Sequence, residues 1–204
     1  MTSTPAAPAS TWHDGICVIG QPYPTRNYAA DIGDDSDTAL GLTETQLDYL
    51  RAIHESGHAI TVLTARAHLH SAEIVHGEAT TEVGGITYAC HLADGHAYAI
   101  YSAAGERAAD RWLHEAGLWS PTRAVANEVA AHSDRASFLA INPHVGFGDK
   151  DVHYQHIHDL ADQALNTHWA AVTAVASALH QHHHLTGDAI AALTGLPNTP
   201  YCTA

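Results

Sequence analysis

The sequence predicts a mainly α-helical domain with a small β-ribbon, an α+β class, within a chain of 204 residues. Three observations lead there. Apolar residues recur every three or four positions from about residue 44 to 66, the mark of an amphipathic helix. AEIVH (72–76) and GGITYACH (84–91) are short β-rich runs separated by the polar, turn-prone GEATTEV. Beyond about residue 95 the chain is Ala-rich and helical in period almost to its end.

Residues 1–41 read as an irregular N-terminal arm, holding half of the 8 prolines, the acidic run DIGDDSDTALG and one short strand at GICVIG. The folded domain is expected over 42–196, followed by a tail at 197–204. Thr43 with Gln46 is a capping-box pattern, and Leu47, Leu50, Ile53, Gly57, Ile60 and Leu63 then share one helical stripe. After the two strands, helices are expected at about 95–116, 122–140, 151–183 and 187–194. Gly117, Ser120-Pro121, INPHVGFG and Thr186-Gly187 punctuate them.

Charge and cysteine usage exclude several classes. Against 22 acidic residues stand 8 basic ones, Lys150 being the only lysine, so a formal charge of -14 leaves no footprint for nucleic acid or an anionic membrane. Cys17, Cys90 and Cys202 are far apart and never form CxxC, which speaks against a disulfide framework or a zinc ribbon. No stretch approaches the ~20 apolar residues of a membrane span, and the opening has no basic and apolar leader pattern. A cytoplasmic protein is the expectation.

The chemistry sits in LRAIHESGHAITVL, where His54, Glu55 and His58 form an HExxH arrangement inside the first long helix. Residues four apart share a helix face, so both imidazoles can reach one tetrahedral Zn²⁺ while Glu55 emerges beside it as a general base toward zinc-bound water. HQHHH at 180–184 is an internal control: His180 and His184 have the same spacing, but Gln181 cannot act as a base, and a solvated helix end explains the cluster. The strand after the HExxH helix suits a zincin-like fold, in which an edge strand holds the substrate backbone extended. GGITYACH is the candidate. For Cys17, an idle thiol is favoured over an inhibitory zinc ligand.

HESGHAI, EIVHGEATTEVGGITY, YSAAGERAADRWL, HSDRASFLAI and HWAAVTAVASALHQHHHLTGDAIAAL, in that order, resemble the zinc peptidase domain of the FtsH-type ATP-dependent proteases over roughly residues 43–196. The resemblance implies Asp134 as third metal ligand and Leu185-Thr186-Gly187-Asp188 as the closing turn. On spacing alone, Glu106 and Asp110, one turn apart on the 95–116 helix, are alternatives, unless they pair with Arg107 and Arg111. Nothing matches G-x-x-x-x-G-K-[ST], so only the peptidase part of the family is represented, and an ATPase acting in trans or self-assembly is the implied partner beside the substrate. The expected function is that of a zinc metallopeptidase, an endopeptidase acting on unfolded proteins or peptides. Its rival is a non-catalytic zinc module that recruits a partner. His68, His70, His76, His91 and His96 read as ordinary surface or cleft residues.

Overall fold

The computed structural model describes residues 12–18, 21–26, 36–75, 84–90, 92, 95–141, 145–146 and 152–201. The GEATTEV turn, His76, His91, Lys150 and the side chains of Cys17 and Cys202 lie outside the described residues. The chain is mainly helical with a small antiparallel sheet, the α+β class expected from the sequence.

The arm holds more regular structure than expected. β1 (Trp12–Val18) pairs antiparallel with β2 (Gln21–Arg26), with a register irregularity between Asp14 and Ile16, and α1 (Ser36–Leu40) follows. Pro22 and Pro24 argue against a central strand, but in a two-stranded ribbon every strand is an edge, where proline is tolerated. α1 packs on the domain itself, with Leu40 buried and Asp37 accepting from Arg51 Nη2 at 2.7 Å.

α2 (Glu44–Thr64) is the axis of the fold. Thr43 Oγ1 accepts from the Gln46 backbone N–H at 3.3 Å while Gln46 Oε1 accepts from the Thr43 N–H at 3.0 Å, completing the capping box. The helix stops two residues earlier than its pattern suggested. Arg66 takes the left-handed conformation (φ 57), its N–H donating to Leu63 O and the Ala67 N–H to Val62 O, a Schellman close achieved without glycine. Beyond the polar first turn α2 is enclosed, with Ile53, Ile60, Val62 and Leu63 in the main core. Each large aliphatic side chain buried this way contributes about 1.5–3 kcal/mol.

β3 (His68–Ile74) and β4 (Gly85–Cys90) form the expected antiparallel pair, with a register irregularity between Leu69 and Ser71. α3 (Gly95–Glu115) crosses α2 closely, because a Cβ at Gly57 would lie 2.5 Å from Ala104 O. The single helix expected at 122–140 is two, α4 (Pro121–Ala130) and α5 (His132–Ile141), broken at Ala131. β5 (Val145–Gly146) and β6 (Val152–His153) form a short parallel pair. α6 (Tyr154–His182) bends at His168, whose φ of -121 and ψ of 19 are not helical.

The ribbon proves to be a three-stranded sheet. His183 (φ 62) closes α6, and the chain runs back along β3 as β7 (His184–Thr186) before α7 (Gly187–Thr194), giving the order β4-β3-β7. The histidine run thus ends one helix and starts a strand. No helix among the described residues is long and apolar enough to cross a membrane.

Candidate metal centre

α2 delivers His54 and His58 on one face, and the first turn of α5 brings Asp134 to meet them. His54 Nε2 and His58 Nε2 are 3.0 Å apart, and Asp134 Oδ2 lies 3.2 Å from the first and 3.3 Å from the second. Donor atoms around a tetrahedral ion with bonds of about 2.0–2.1 Å are about 3.3 Å from one another. The three atoms therefore stand at the spacing one shared ion requires. Among the described residues, this is the one His, Cys, Asp and Glu group that converges in this way.

The surroundings fit an ion as well. His58 Nδ1 donates to Tyr101 O at 2.7 Å, which fixes the tautomer and leaves Nε2 as the free lone pair, the arrangement that orients metal-binding imidazoles. Beneath the pair lies Gly105 of α3, where a Cβ would stand 2.5 Å from both Nε2 atoms. Alanine is the better helix former, so glycine here marks space that the site needs. Tyr101 meets His58 through its backbone carbonyl, a contact that left no signal in the sequence, whereas a glycine inside an Ala-rich helix was a legible anomaly.

Glu55, one residue beyond His54, is 5% exposed and its carboxylate accepts from Thr87 Oγ1 at 2.7 Å. Thr87 lies on β4, and its carbonyl accepts from Tyr101 Oη at 3.1 Å, so sheet, base and ligand helix are tied together. At Gly85, a Cβ would come within 2.8 Å of Glu55 Cγ and Oε1; the bare backbone makes room for the acid.

Burial pushes the Glu55 carboxyl above its ordinary range, and the opposing pull of His54, His58 and the Thr87 hydroxyl does not cancel it. Burial pulls the His58 imidazolium down, yet the charge and hydrogen bond of Asp134, aided by Glu55 and the Tyr101 carbonyl, outweigh it and raise His58 to about 9. For Asp134, burial opposes ionisation, but the His58 charge and the bonds from His54 and His58 hold the carboxyl well below the carboxylate range.

The rival third ligands face elsewhere. Glu106 is held by Arg135, with Nε to Oε2 at 2.9 Å. Asp110 accepts from Arg107 Nη1 at 3.0 Å and from Trp119 Nε1 at 3.1 Å. The neighbour pairings Glu106–Arg107 and Asp110–Arg111 that spacing allowed are thus replaced by Arg135 from α5 and Arg107 from one turn back. His68 and His70 pack against the Tyr201 ring in tilted and edge-on arrangements, His68 Nδ1 donating to Thr199 O at 2.6 Å, and His96 lies exposed on α3. The chain matches no family model and no curated protein. The functional reading therefore rests on these residues.

Proposed function

We propose that the protein is a zinc-dependent endopeptidase of the FtsH peptidase type, with a zincin-like arrangement, acting on unfolded proteins or peptides. The observation that carries this reading is the buried, proton-seeking Glu55 beside three converging donor atoms. A site built only to hold a structural ion needs four protein ligands and no base, whereas three ligands plus an acid suit hydrolysis.

His54, His58 and Asp134 would hold the ion. When bound, the ion supplies Lewis acidity, polarising a scissile carbonyl and acidifying water. Glu55 takes the proton from the attacking water, its raised affinity for protons making it a stronger base than an exposed glutamate, and delivers that proton to the leaving amine. Thr87 keeps the carboxylate turned toward this task through its 2.7 Å bond. β4 is an edge strand of its sheet, with Ile86 and Tyr88 exposed on the face opposite Thr87. An extended peptide adding along that edge would run past Glu55, with main-chain hydrogen bonds giving affinity without strong sequence preference.

The test joins metal analysis to turnover. Purified protein is expected to carry about one zinc per chain and to cleave an unfolded casein-type substrate, with cleavage lost on chelation and restored by zinc. Glu55→Gln should retain the metal and lose hydrolysis, since Gln preserves size and hydrogen bonding but accepts no proton. Metal-loaded protein that leaves every unfolded substrate intact would overturn the reading.

A further inference from the structure

Beside the donor triad, α3, α4, α5 and α6 bury a polar cluster that the proposed hydrolysis does not use. Glu106 is 1% exposed and Arg135 0%. Arg135 donates from Nε to Glu106 Oε2 at 2.9 Å and from Nη2 to both carboxylate oxygens at 2.6 Å. Glu128 Oε2 lies 4.0 Å from Arg135 Nη2, His158 Nε2 lies 3.6 Å from Glu106 Oε1, and Asn127 Nδ2 donates to Glu106 O at 3.0 Å.

A buried ion pair is a poor source of stability, because desolvating both ions offsets most of their attraction and an apolar pair of similar volume often serves as well. What the pair fixes is more informative. Arg135 follows the ligand Asp134, and Glu106 follows Gly105, the residue beneath both imidazole tips. Successive helical residues point about 100° apart, so a fork that clamps residue 135 in direction and depth also sets the direction of residue 134. Asp134 lies in the first turn of the ten-residue α5, just past the break at Ala131, where the backbone alone constrains it least.

We propose that Glu106 and Arg135 are positioning residues of the metal centre, holding Asp134 Oδ2 level with the two imidazole nitrogens so that a divalent cation meets a preformed set of three donors. Neither side chain belongs to the converging donor set. The proposal rests on reading His54, His58 and Asp134 as a metal site.

The experiment uses the full chain and three readouts: zinc affinity by competition with a chelator, the visible spectrum of the Co²⁺-loaded protein, and thermal unfolding of the metal-free protein. Arg135→Lys keeps the charge but loses the fork, and Glu106→Leu/Arg135→Met, combined with Glu128→Gln so that no buried carboxylate is left without its cation, replaces the pair by apolar volume. Asp162→Asn, which weakens the Arg107–Asp162 pair, an ion pair that includes none of the three donor residues, is the control. Both test variants should lose about 10–100-fold in zinc affinity and show weaker, shifted Co²⁺ bands as the tetrahedral set loosens. The apolar pair should do so with metal-free unfolding close to that of the wild type, and the control should change neither affinity nor spectrum. Wild-type affinity and spectrum in both test variants would overturn the positioning role, as would failure of both to fold, because the pair would then carry stability rather than aim. A wild-type protein that binds no metal would instead remove the metal reading itself, and this proposal with it.

Discussion

Replacing Gly105 by alanine should separate the metal centre from the fold, because the two respond with opposite sign. The added Cβ would stand 2.5 Å from both His54 Nε2 and His58 Nε2. Ordinary contact begins near 3.5 Å, so each ring tip has to retreat by about 1 Å. Metal–ligand bonds tolerate only about 0.2 Å, and both imidazoles are displaced together, so zinc affinity should fall at least about 100-fold. The helix moves the other way. Gly to Ala inside a helix is worth about 0.5–1 kcal/mol, which offsets part of the cost of moving the rings in the metal-free protein. Chelator competition should therefore show the large loss, while metal-free thermal unfolding stays near wild type and the stabilisation normally gained on adding zinc disappears. If Gly105→Ala binds zinc as tightly as wild type, the space above this glycine is not part of the site.

Other perturbations address single contacts. Asp134→Ala should weaken zinc binding more than either Glu106→Gln or Asp110→Asn, ranked by the same competition titration, since it removes a donor atom outright. Thr87→Val removes the hydroxyl that favours the charged form of Glu55, so the acid limb of the kcat/KM profile should move to higher pH. An unshifted limb would mean that the limb does not report Glu55. In the metal-free protein, His58 is raised from an ordinary ~6.5 to about 9, so its contribution to stability is complete below ~6.5 and is lost as pH rises through about 9. Asp134 acts in the opposite sense, stabilising above the ordinary carboxylate range and losing that contribution as pH falls. Zinc binding at pH 7 should accordingly release about one proton per ion, readable by calorimetry in buffers of different ionisation enthalpy.

The sequence carried some elements plainly and hid others for physical reasons. α2 was legible because a capping box and an apolar stripe coincide, and its end was misplaced because Arg66 does by strain what glycine usually does. The break at Ala131 has no local mark, since alanine is the best helix former; α4 and α5 part because tertiary contacts demand it. Arg123 of α4 donates to Leu40 O at 2.6 Å, holding that helix to α1, while Arg135 of α5 must reach Glu106. β7 was concealed by a histidine run whose composition suits a helix end equally well. Within the site, HExxH named His54, Glu55 and His58 directly, but Asp134 came only through resemblance to a family, because a ligand supplied from a distant helix leaves no spacing to read. Thr87 and Tyr101 could not be assigned beforehand, one hidden among ordinary strand threonines and the other acting through its carbonyl.

The same site shows how so acidic a chain accommodates a half-buried carboxylate beside two imidazoles. Without an ion, the proton retained by His58 serves as the cation that Asp134 requires, and the 3.0 to 3.3 Å spacing of the three donor atoms persists around that charge. In the proposed metal centre a divalent ion would replace that proton rather than open a collapsed pocket, so little reorganisation would have to be supplied on binding. Glu55 stands outside this exchange. Its partner is the Thr87 hydroxyl on the sheet, so filling the triad alters the field around the base without taking away its hydrogen bond. A divalent ion at the three donor atoms would carry more positive charge than the proton on His58 and would oppose the upward push that burial exerts on the Glu55 carboxyl.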